Sequence, residues 1–327
     1  MTEHVAHPSS QLHPFSHLVL GSGGMSGMSY LGILRYMQEH NMIRALKHVF
    51  GVSIGAFFGY LFALDMNAGD VETEIKSFFE DDSQTFTAFK KIGQVQLTFG
   101  MDDGDRLICC LENLACAHVA KDAHKWSFLD FVKHTGRTLT VVATDVFDKK
   151  PVFFSVDTTP DVNVLMAVQA SMTIPFLFQP VIIKGHSYVD GYLSCEYPAP
   201  RLLDKHHTLG IFLDGFNALT KRNKRGMDEE SESFYAYMQC LLEIMLFYPK
   251  ETNRIQEILK YKMILNDNPI EFFPLHVTNA GCSVAVTPSQ VDAAIAYGYQ
   301  MTYDFMNSLA STATTATIAS ATPATSL

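Results

Sequence analysis

"HVFGVSIGAFFGY", residues 48–60, sets one serine between two glycines, Gly51-Val52-Ser53-Ile54-Gly55, with apolar residues on both sides. The residues before it, "ALKHVF" at 45–50, read as a strand. Those after it, "AFFGYLFALDM", read as a helix that is apolar almost all round, which belongs in the middle of a core. A strand-to-helix turn projects a serine hydroxyl clear of the sheet, and glycines at both ends permit the tight backbone path. The N-terminus of the following helix carries partial positive charge, which favours an anion forming there. The same residues also fit a plain buried helix start with packing glycines, and the five-residue match leaves both readings open.

Working outward, "HLVL" at 17–20 is a short apolar strand and "GSGGMSG" at 21–27 a glycine-rich turn. "MSYLGILRYMQEH" follows, with Met28, Leu31, Leu34 and Met37 at helical spacing. Strand, helix, strand, helix is the opening of an α/β fold with a parallel sheet. Residues 70–135 read as mostly helical, with a loop near "GMDDGD". "TLTVVATDVF" and "PVFFSV" are strands about a "DKK" turn, and "VNVLMAVQASMTIP" is a helix stopped by Pro175. "VIIKGHSYVDG" reads as a hairpin with Lys184-Gly185 in its turn, and "HTLGIFLD" at 207–214 as another strand. A charged loop is expected at 220–233, then helical stretches near 232–247, 250–266 and 288–308. There are no internal repeats.

The 327 residues suffice for a large core, and 47% hydrophobic against 18% charged residues describes a folded globular chain. A net charge of -10 argues against a general nucleic-acid binder, because phosphate contact needs a basic face. The six cysteines form no C-x-x-C pair and no zinc spacing, and the adjacent Cys109 and Cys110 suit a reduced, cytoplasmic protein. The first fifteen residues lack the apolar region of a signal peptide. The longest uncharged apolar run, Val49 to Leu64, falls short of the roughly 20 residues that span a bilayer. The closing Ala/Thr/Ser-rich stretch is expected to be disordered.

A nucleophilic serine needs an oxyanion hole and a base. The backbone N–H groups of the 21–27 loop can face the Ser53 turn across neighbouring parallel strands. A dinucleotide loop is disfavoured, because the G-x-G-x-x-G spacing is not met and Gly51-Val52-Ser53 replaces the acidic residue expected after the second strand. A P-loop is excluded by the lack of Gly-Lys-Ser/Thr. An ordinary α/β-hydrolase has serine, acid and histidine in chain order, and more sheet before its nucleophile than 52 residues supply. The late histidines, His186, His206, His207 and His276, read as surface or packing residues. Asp190-Gly191, directly after a hairpin strand, is better placed to fix a carboxylate beside the serine.

Four segments in order, "GSGGMSG", "GVSIG", "ATDVFDKKPVFFS" and "AVQASMTIPFLFQPVIIKGHSYVDG", resemble the patatin-like phospholipase family, and "VDAAIAYGYQMTYDFM" at 291–306 resembles its closing helix. The resemblance covers roughly residues 16–308 and is weakest over 215–285. It implies a three-layer α/β fold with a central, mostly parallel sheet, plus a helical C-terminal extension. It implies a catalytic core over 16–215, a mostly helical part over 216–308 packed on it, and flexible tails at 1–15 and 309–327. It implies a Ser–Asp dyad without histidine: Ser53 the nucleophile, Asp190 its base, and the N–H groups of Gly23, Gly24 and Met25 the oxyanion hole, with Gly27, Gly51, Gly55 and Gly191 as motif glycines. The implied activity is hydrolysis of fatty acyl esters in phospholipids or lysophospholipids, with transient contact to a membrane surface, no cofactor and no metal, and any protein activator unspecified. Three positions depart from the family pattern: Ser22 for glycine, Ser26 for lysine or arginine, and Tyr192 for a small residue. They keep open a catalytically silent protein that binds lipid or a partner, beside a conventional Ser-His-Asp esterase. Thr144-Asp145 in "ATDV" reads as structural. The basic cluster Lys221, Arg222, Lys224 and Arg225 reads as a solvated loop, with anionic headgroups as the alternative.

Overall fold

The computed structural model describes residues 15–80, 95–195, 197, 206–213, 259, 261–270, 275–278, 281–284 and 286–320. In chain order they form β1 (His17–Leu20), a 3-10 turn over Gly24–Met28, α1 (Ser29–Glu39), β2 (His48–Val52), α2 (Ile54–Leu64), α3 (Ala68–Glu80), α4 (Val95–Thr98), β3 (Gly100–Asp102), α5 (Asp105–His118) and α6 (Phe128–Thr135). There follow β4 (Thr138–Asp145), β5 (Lys150–Phe154), α7 (Val164–Met172), β6 (Phe176–Phe178), β7 (Val181–Ile183), β8 (His186–Asp190), β9 (Thr208–Leu213), β10 (Tyr261–Leu265), β11 (Leu275–Thr278), β12 (Gly281–Val284) and α8 (Pro288–Ser320).

The main sheet has the order β10-β9-β1-β2-β4-β8-β7, with β5 also on β4. Strands β10, β9, β1, β2 and β4 run parallel, while β5, β8 and β7 are antiparallel additions. The parallel strands are nearly continuous apolar runs, as a sheet covered on both faces requires. In α2 every residue from Ile54 to Ala63 is buried, so the all-apolar helix does lie in the core. The expected hairpin is β7–β8. Lys184 and Gly185 both have positive φ, 51° and 83°, the two-residue turn whose twist matches the strands it joins.

The register of β4 fixes the geometry of the molecule. Strand β2 pairs with Thr138–Val142 and β8 with Ala143–Asp145, whereas β5 pairs with Val141–Asp145 and overlaps both. Strand β5 therefore occupies one edge of β4, and β2 and β8 share the other edge end to end. Val52 lies opposite Val142, and Asp190 opposite Ala143. The end of β2 and the end of β8 thus meet at one point along β4.

The C-terminal part departs from the expected helical extension. A helix expected over 250–266 is replaced at its end by β10, which pairs in parallel with β9 and extends the main sheet. Its alternation of buried Met263 and Leu265 with the partly exposed Lys262 and Ile264 has the period of a strand. The β11–β12 hairpin lies in the same part. Short strands β3 and β6 pair where only a loop was read, at "GMDDGD". Helix α8 continues to Ser320 and does not end near 308. Once a helix is nucleated, each further residue adds a hydrogen bond, so the helix propagates into a segment where alanine, the best helix former, alternates with threonine and serine. Phe15, assigned to the N-terminal tail, is 2% exposed and packs edge-on against Tyr261. The expected charged loop at 220–233 with its basic cluster, and the expected helix near 232–247, lie outside the described residues. Among the described residues, no helix is long and apolar enough to cross a membrane.

Candidate active site

Ser53 stands alone between β2 and α2, with φ 56° and ψ −126°. A non-glycine residue held there stores on the order of 1–3 kcal/mol of strain, which the surrounding structure must hold in place. Two of the motif glycines make the turn possible by close approach. A Cβ on Gly51 would lie 2.3 Å from the Gly55 carbonyl oxygen, and one on Gly55 would lie 2.3 Å from the carbonyl oxygen of Leu20 at the end of β1. The start of α2 is thereby pressed against the ends of both β2 and β1.

The Ser53 hydroxyl donates to Asp190 Oδ2 at 2.6 Å. Both residues are buried, Ser53 8% and Asp190 2% exposed. The other carboxylate oxygen, Oδ1, accepts the Tyr192 N–H at 2.9 Å. The backbone of Asp190 is fixed as well: its N–H donates to the Thr173 carbonyl at 2.7 Å, and its carbonyl accepts the Thr144 hydroxyl at 2.8 Å. Gly191 lies directly over β4, where a Cβ would come within 2.1 Å of the Val142 carbonyl oxygen. On the other side of the pair, the Ser53 N–H donates to Ser171 Oγ at 2.8 Å, and the Ser171 hydroxyl donates to the Val142 carbonyl at 2.5 Å. The C-terminal end of α7 therefore holds Ser53 through Ser171 and Asp190 through Thr173. Sequence reading missed both: they stand in the quoted "AVQASMTIP", but nothing in a helical pattern marks which polar residue reaches another element.

The 21–27 loop lies beside this pair. Leu20 is level with Gly51 in the β1–β2 register, and a Cβ on Gly27 would lie 2.4 Å from Ile54 Cγ1. Both ends of the loop thus abut the elbow. Gly24 has φ 49°, a conformation that favours glycine. The Ser26 N–H turns back to the Gly23 carbonyl at 3.1 Å. The N–H groups of Gly23, Gly24 and Met25 precede that first closed turn, and among the described residues no acceptor takes them. Tyr30 pins the loop's start by donating to the Gly21 carbonyl at 2.8 Å. Burial pushes its phenol pKa well up, so it stays a donor.

Thr144 and Asp145 play different parts. Thr144 supports Asp190, whereas Asp145 Oδ1 accepts the N–H groups of Phe147 and Asp148 at 3.0 and 2.9 Å, closing the β4–β5 turn. Asp145 Oδ2 lies 2.9 Å from His186 Nδ1. The Asp148 N–H foremost, then His186 and the Phe147 N–H, hold the Asp145 carboxyl below the usual carboxylate range against the opposing effect of burial. His186 stands at the start of β8 and Asp190 at its end, about 13 Å apart along a strand rising about 3.3 Å per residue. His207 precedes β9, level with Ser16 and His17, at the opposite end of the parallel strands from Ser53. Asp145, Asp148 and His186 bring ligand-type atoms within 4.8 Å of one another. Lys150 already engages Asp148 at 2.7 Å, and the carboxylate of Asp145 is taken up by the turn.

The model of the family described as "Patatin-like phospholipase" matches residues 18–203, more than half of the chain. Among curated proteins, the chain is 23% identical over 194 residues to "Probable lipid hydrolase 463L" of Invertebrate iridescent virus 6, a match covering 59% of this chain and 65% of that protein. It is 41% identical over 61 residues to "Lysophospholipase NTE1" of Eremothecium gossypii, covering 19% of this chain and 4% of that much longer one. The matched segment thus spans just under two thirds of the viral relative's length, and a small fraction of the fungal one. Among solved structures, VipD from Legionella pneumophila is similar in fold, with a TM-score of 0.51 at 21% identity, covering 90% of this chain and 67% of that one. On the family match, which takes in the serine elbow, the glycine loop and the Asp-Gly turn, the chain belongs to the patatin-like phospholipase family.

Proposed function

We propose that the chain is a serine-type lipid acyl hydrolase acting on phospholipids or lysophospholipids through a Ser53–Asp190 dyad. The observation that carries this reading is the 2.6 Å bond from Ser53 Oγ to Asp190 Oδ2 at a buried, strained elbow. Asp190 takes the hydroxyl proton as Ser53 Oγ attacks the ester carbonyl. The oxyanion of the tetrahedral intermediate accepts from the N–H groups of Gly23, Gly24 and Met25, which no acceptor among the described residues takes. The C–O bond to the glycerol oxygen breaks, and the leaving alcohol takes the proton from Asp190. Water then attacks the acyl-Ser53 ester with Asp190 again as base, releasing the fatty acid and restoring the serine. A carboxylate is a weak base in water, so the scheme depends on the water exclusion and fixed geometry that the burial of both groups supports. Every role falls to groups of this chain, so the scheme requires no cofactor and no metal.

The choice of lipid esters rests on family membership and on relatives named for lipid hydrolysis. Reaching such a substrate requires passing contact with a membrane surface. The test is a fluorophosphonate probe together with Ser53→Ala. Wild type should be labelled at Ser53 and release fatty acid from lysophospholipid, and the variant should do neither while keeping its circular dichroism spectrum. Hydrolysis surviving in Ser53→Ala would sink the nucleophile. A wild type inert to probe and to every lipid would establish the silent alternative.

A further inference from the structure

The start of the glycine loop is tied to the sheet, where the Gly21 N–H donates to Ile211 on β9 at 3.0 Å. Its far end is held by a distant part of the chain. Just after β10 the backbone turns through residues 266–270 and reaches Ser26 and Ser29. Asn268 Nδ2 lies 3.0 Å from the Ser26 carbonyl oxygen and 3.0 Å from Ser29 Oγ, donating to both. Asn268 Oδ1 accepts the Ile270 N–H at 3.1 Å, which fixes the amide plane. The Ile270 carbonyl in turn accepts the Ser26 hydroxyl at 2.8 Å. The Ser29 hydroxyl donates onward to the Ser26 carbonyl at 2.8 Å. Ser26, Ser29 and Ile270 are 5%, 0% and 1% exposed, while Asn268 itself is half-buried.

Ser26 is thus constrained at each of its polar groups. Its N–H goes to Gly23, its carbonyl to Asn268 and Ser29, and its hydroxyl to Ile270. The Ser26 N–H to Gly23 carbonyl bond closes the turn that contains Gly24 and Met25, so the orientation of Ser26 sets the direction of their N–H groups. We propose that Asn268 is a positioning residue for acyl transfer: by fixing Ser26 it aims the Gly24 and Met25 N–H groups at the forming oxyanion. The segment after β10 thereby supports a site whose reacting groups, Ser53, Asp190 and the glycine-loop N–H groups, stand much earlier in the chain. This rests on the hydrolase reading above.

The test is Asn268→Asp, which keeps the shape and the acceptor for Ile270 but removes both donated hydrogens. Asn268→Ala and Ser26→Ala accompany it. Expected for Asn268→Asp is a fall in kcat of about 10- to 100-fold on p-nitrophenyl butyrate, the scale of a misaimed group. KM should stay within about twofold, since the ground state gains little from these donors. The ³¹P resonance of the phosphonyl adduct on Ser53 should also move, because its P–O oxygen occupies the oxyanion position. A folded Asn268→Asp with wild-type kcat and an unmoved resonance overturns the proposal, as does a kcat loss that disappears well below the melting temperature. If neither of these Asn268 variants folds, Asn268→Ser decides, because its shorter hydroxyl can still accept the Ile270 N–H but loses the donors to Ser26 and Ser29: unchanged kcat and resonance overturn the proposal, and a loss in the same direction upholds it. A wild type that is neither active nor labelled at Ser53 overturns the hydrolase reading itself, and this one with it.

Discussion

The backbone N–H of Ser53 donates to the hydroxyl of Ser171, 2.8 Å away, and Ser171 passes its own hydrogen to the carbonyl of Val142. Ser171 is fully buried. Ser171→Ala leaves both a buried N–H and a buried carbonyl short of a partner, at a cost of about 1–3 kcal/mol each at most. It also frees the strained elbow to relax away from φ 56°. The expected outcome is a lower urea midpoint together with slower labelling of Ser53 by fluorophosphonate, measured where the variant is fully folded. Unchanged labelling would show that the elbow is held without Ser171.

Gly23→Ala is expected to lower kcat by about 10²–10³-fold, the cost of displacing one oxyanion donor. The cause is a neighbour and not the backbone. Gly23 has φ 178°, open to any residue, but a Cβ there would lie 2.1 Å from Leu213 Cδ1. Leu213 Cβ would itself lie 2.9 Å away, so Leu213→Gly, which removes the whole side chain, should restore much of the loss. Gly24, at φ 49°, offers no such rescue: Gly24→Ala should stay impaired in the Leu213→Gly background. Steady-state kinetics on the single and double variants checks both statements.

Asp145 is expected to add to stability in a pH-dependent way. Its folded pKa is depressed, chiefly by the Asp148 N–H and then by His186. A depressed carboxylate adds stability that is present above the unfolded pKa of about 3.9 and lost as pH falls through the folded value. Asp145→Asn should therefore be less stable than wild type at pH 7, with the gap closing below about pH 4. Denaturant melts across pH read this directly. A gap that is constant with pH would assign the Asp145 contribution to packing alone.

The elements nearest the serine were legible because local signals agree there. The strand before Ser53, the all-apolar helix after it, and the Lys184-Gly185 turn each follow from period and turn chemistry within a dozen residues. The position of Asp190 at the end of a hairpin strand was legible for the same reason. What sequence could not supply was the shared edge of β4, which brings Val52 and Asp190 to adjacent partners from positions far apart in the chain. Ser171 and Asn268 escaped for a related cause: each acts through one long-range hydrogen bond, and a lone serine or asparagine carries no periodic mark. The 250–266 stretch misled because β10 is only five residues long and abuts a segment with helical composition. Its identity as a strand depends on β9 being there to pair with it.

Asp190→Asn set beside His186→Ala, His206→Ala, His207→Ala and His276→Ala separates the dyad from a conventional triad. Asparagine keeps the shape of Asp190 and, with its oxygen accepting the Tyr192 N–H, sets its amide NH2 against Ser53 Oγ, where it cannot take the serine proton as a carboxylate does. It should leave the fold intact, since the backbone bonds to Thr173 and Thr144 remain, and leave turnover near zero on phospholipid, lysophospholipid and triacylglycerol alike. His186 is committed to Asp145, and its start-of-strand position lies far from Ser53. His207 lies at the opposite end of the parallel strands. His186→Ala and His207→Ala should therefore keep most of their activity, and the dyad expects the same of His206→Ala and His276→Ala, with His186→Ala losing acid-sensitive stability through Asp145 but not kcat. A triad predicts the reverse, one histidine variant falling by about 10⁴-fold or more. The comparison is decisive because the two models place the proton on different atoms. In the dyad it passes from Ser53 Oγ to a carboxylate oxygen 2.6 Å away, on a side chain that the Tyr192 N–H already orients; in a triad it passes to an imidazole nitrogen.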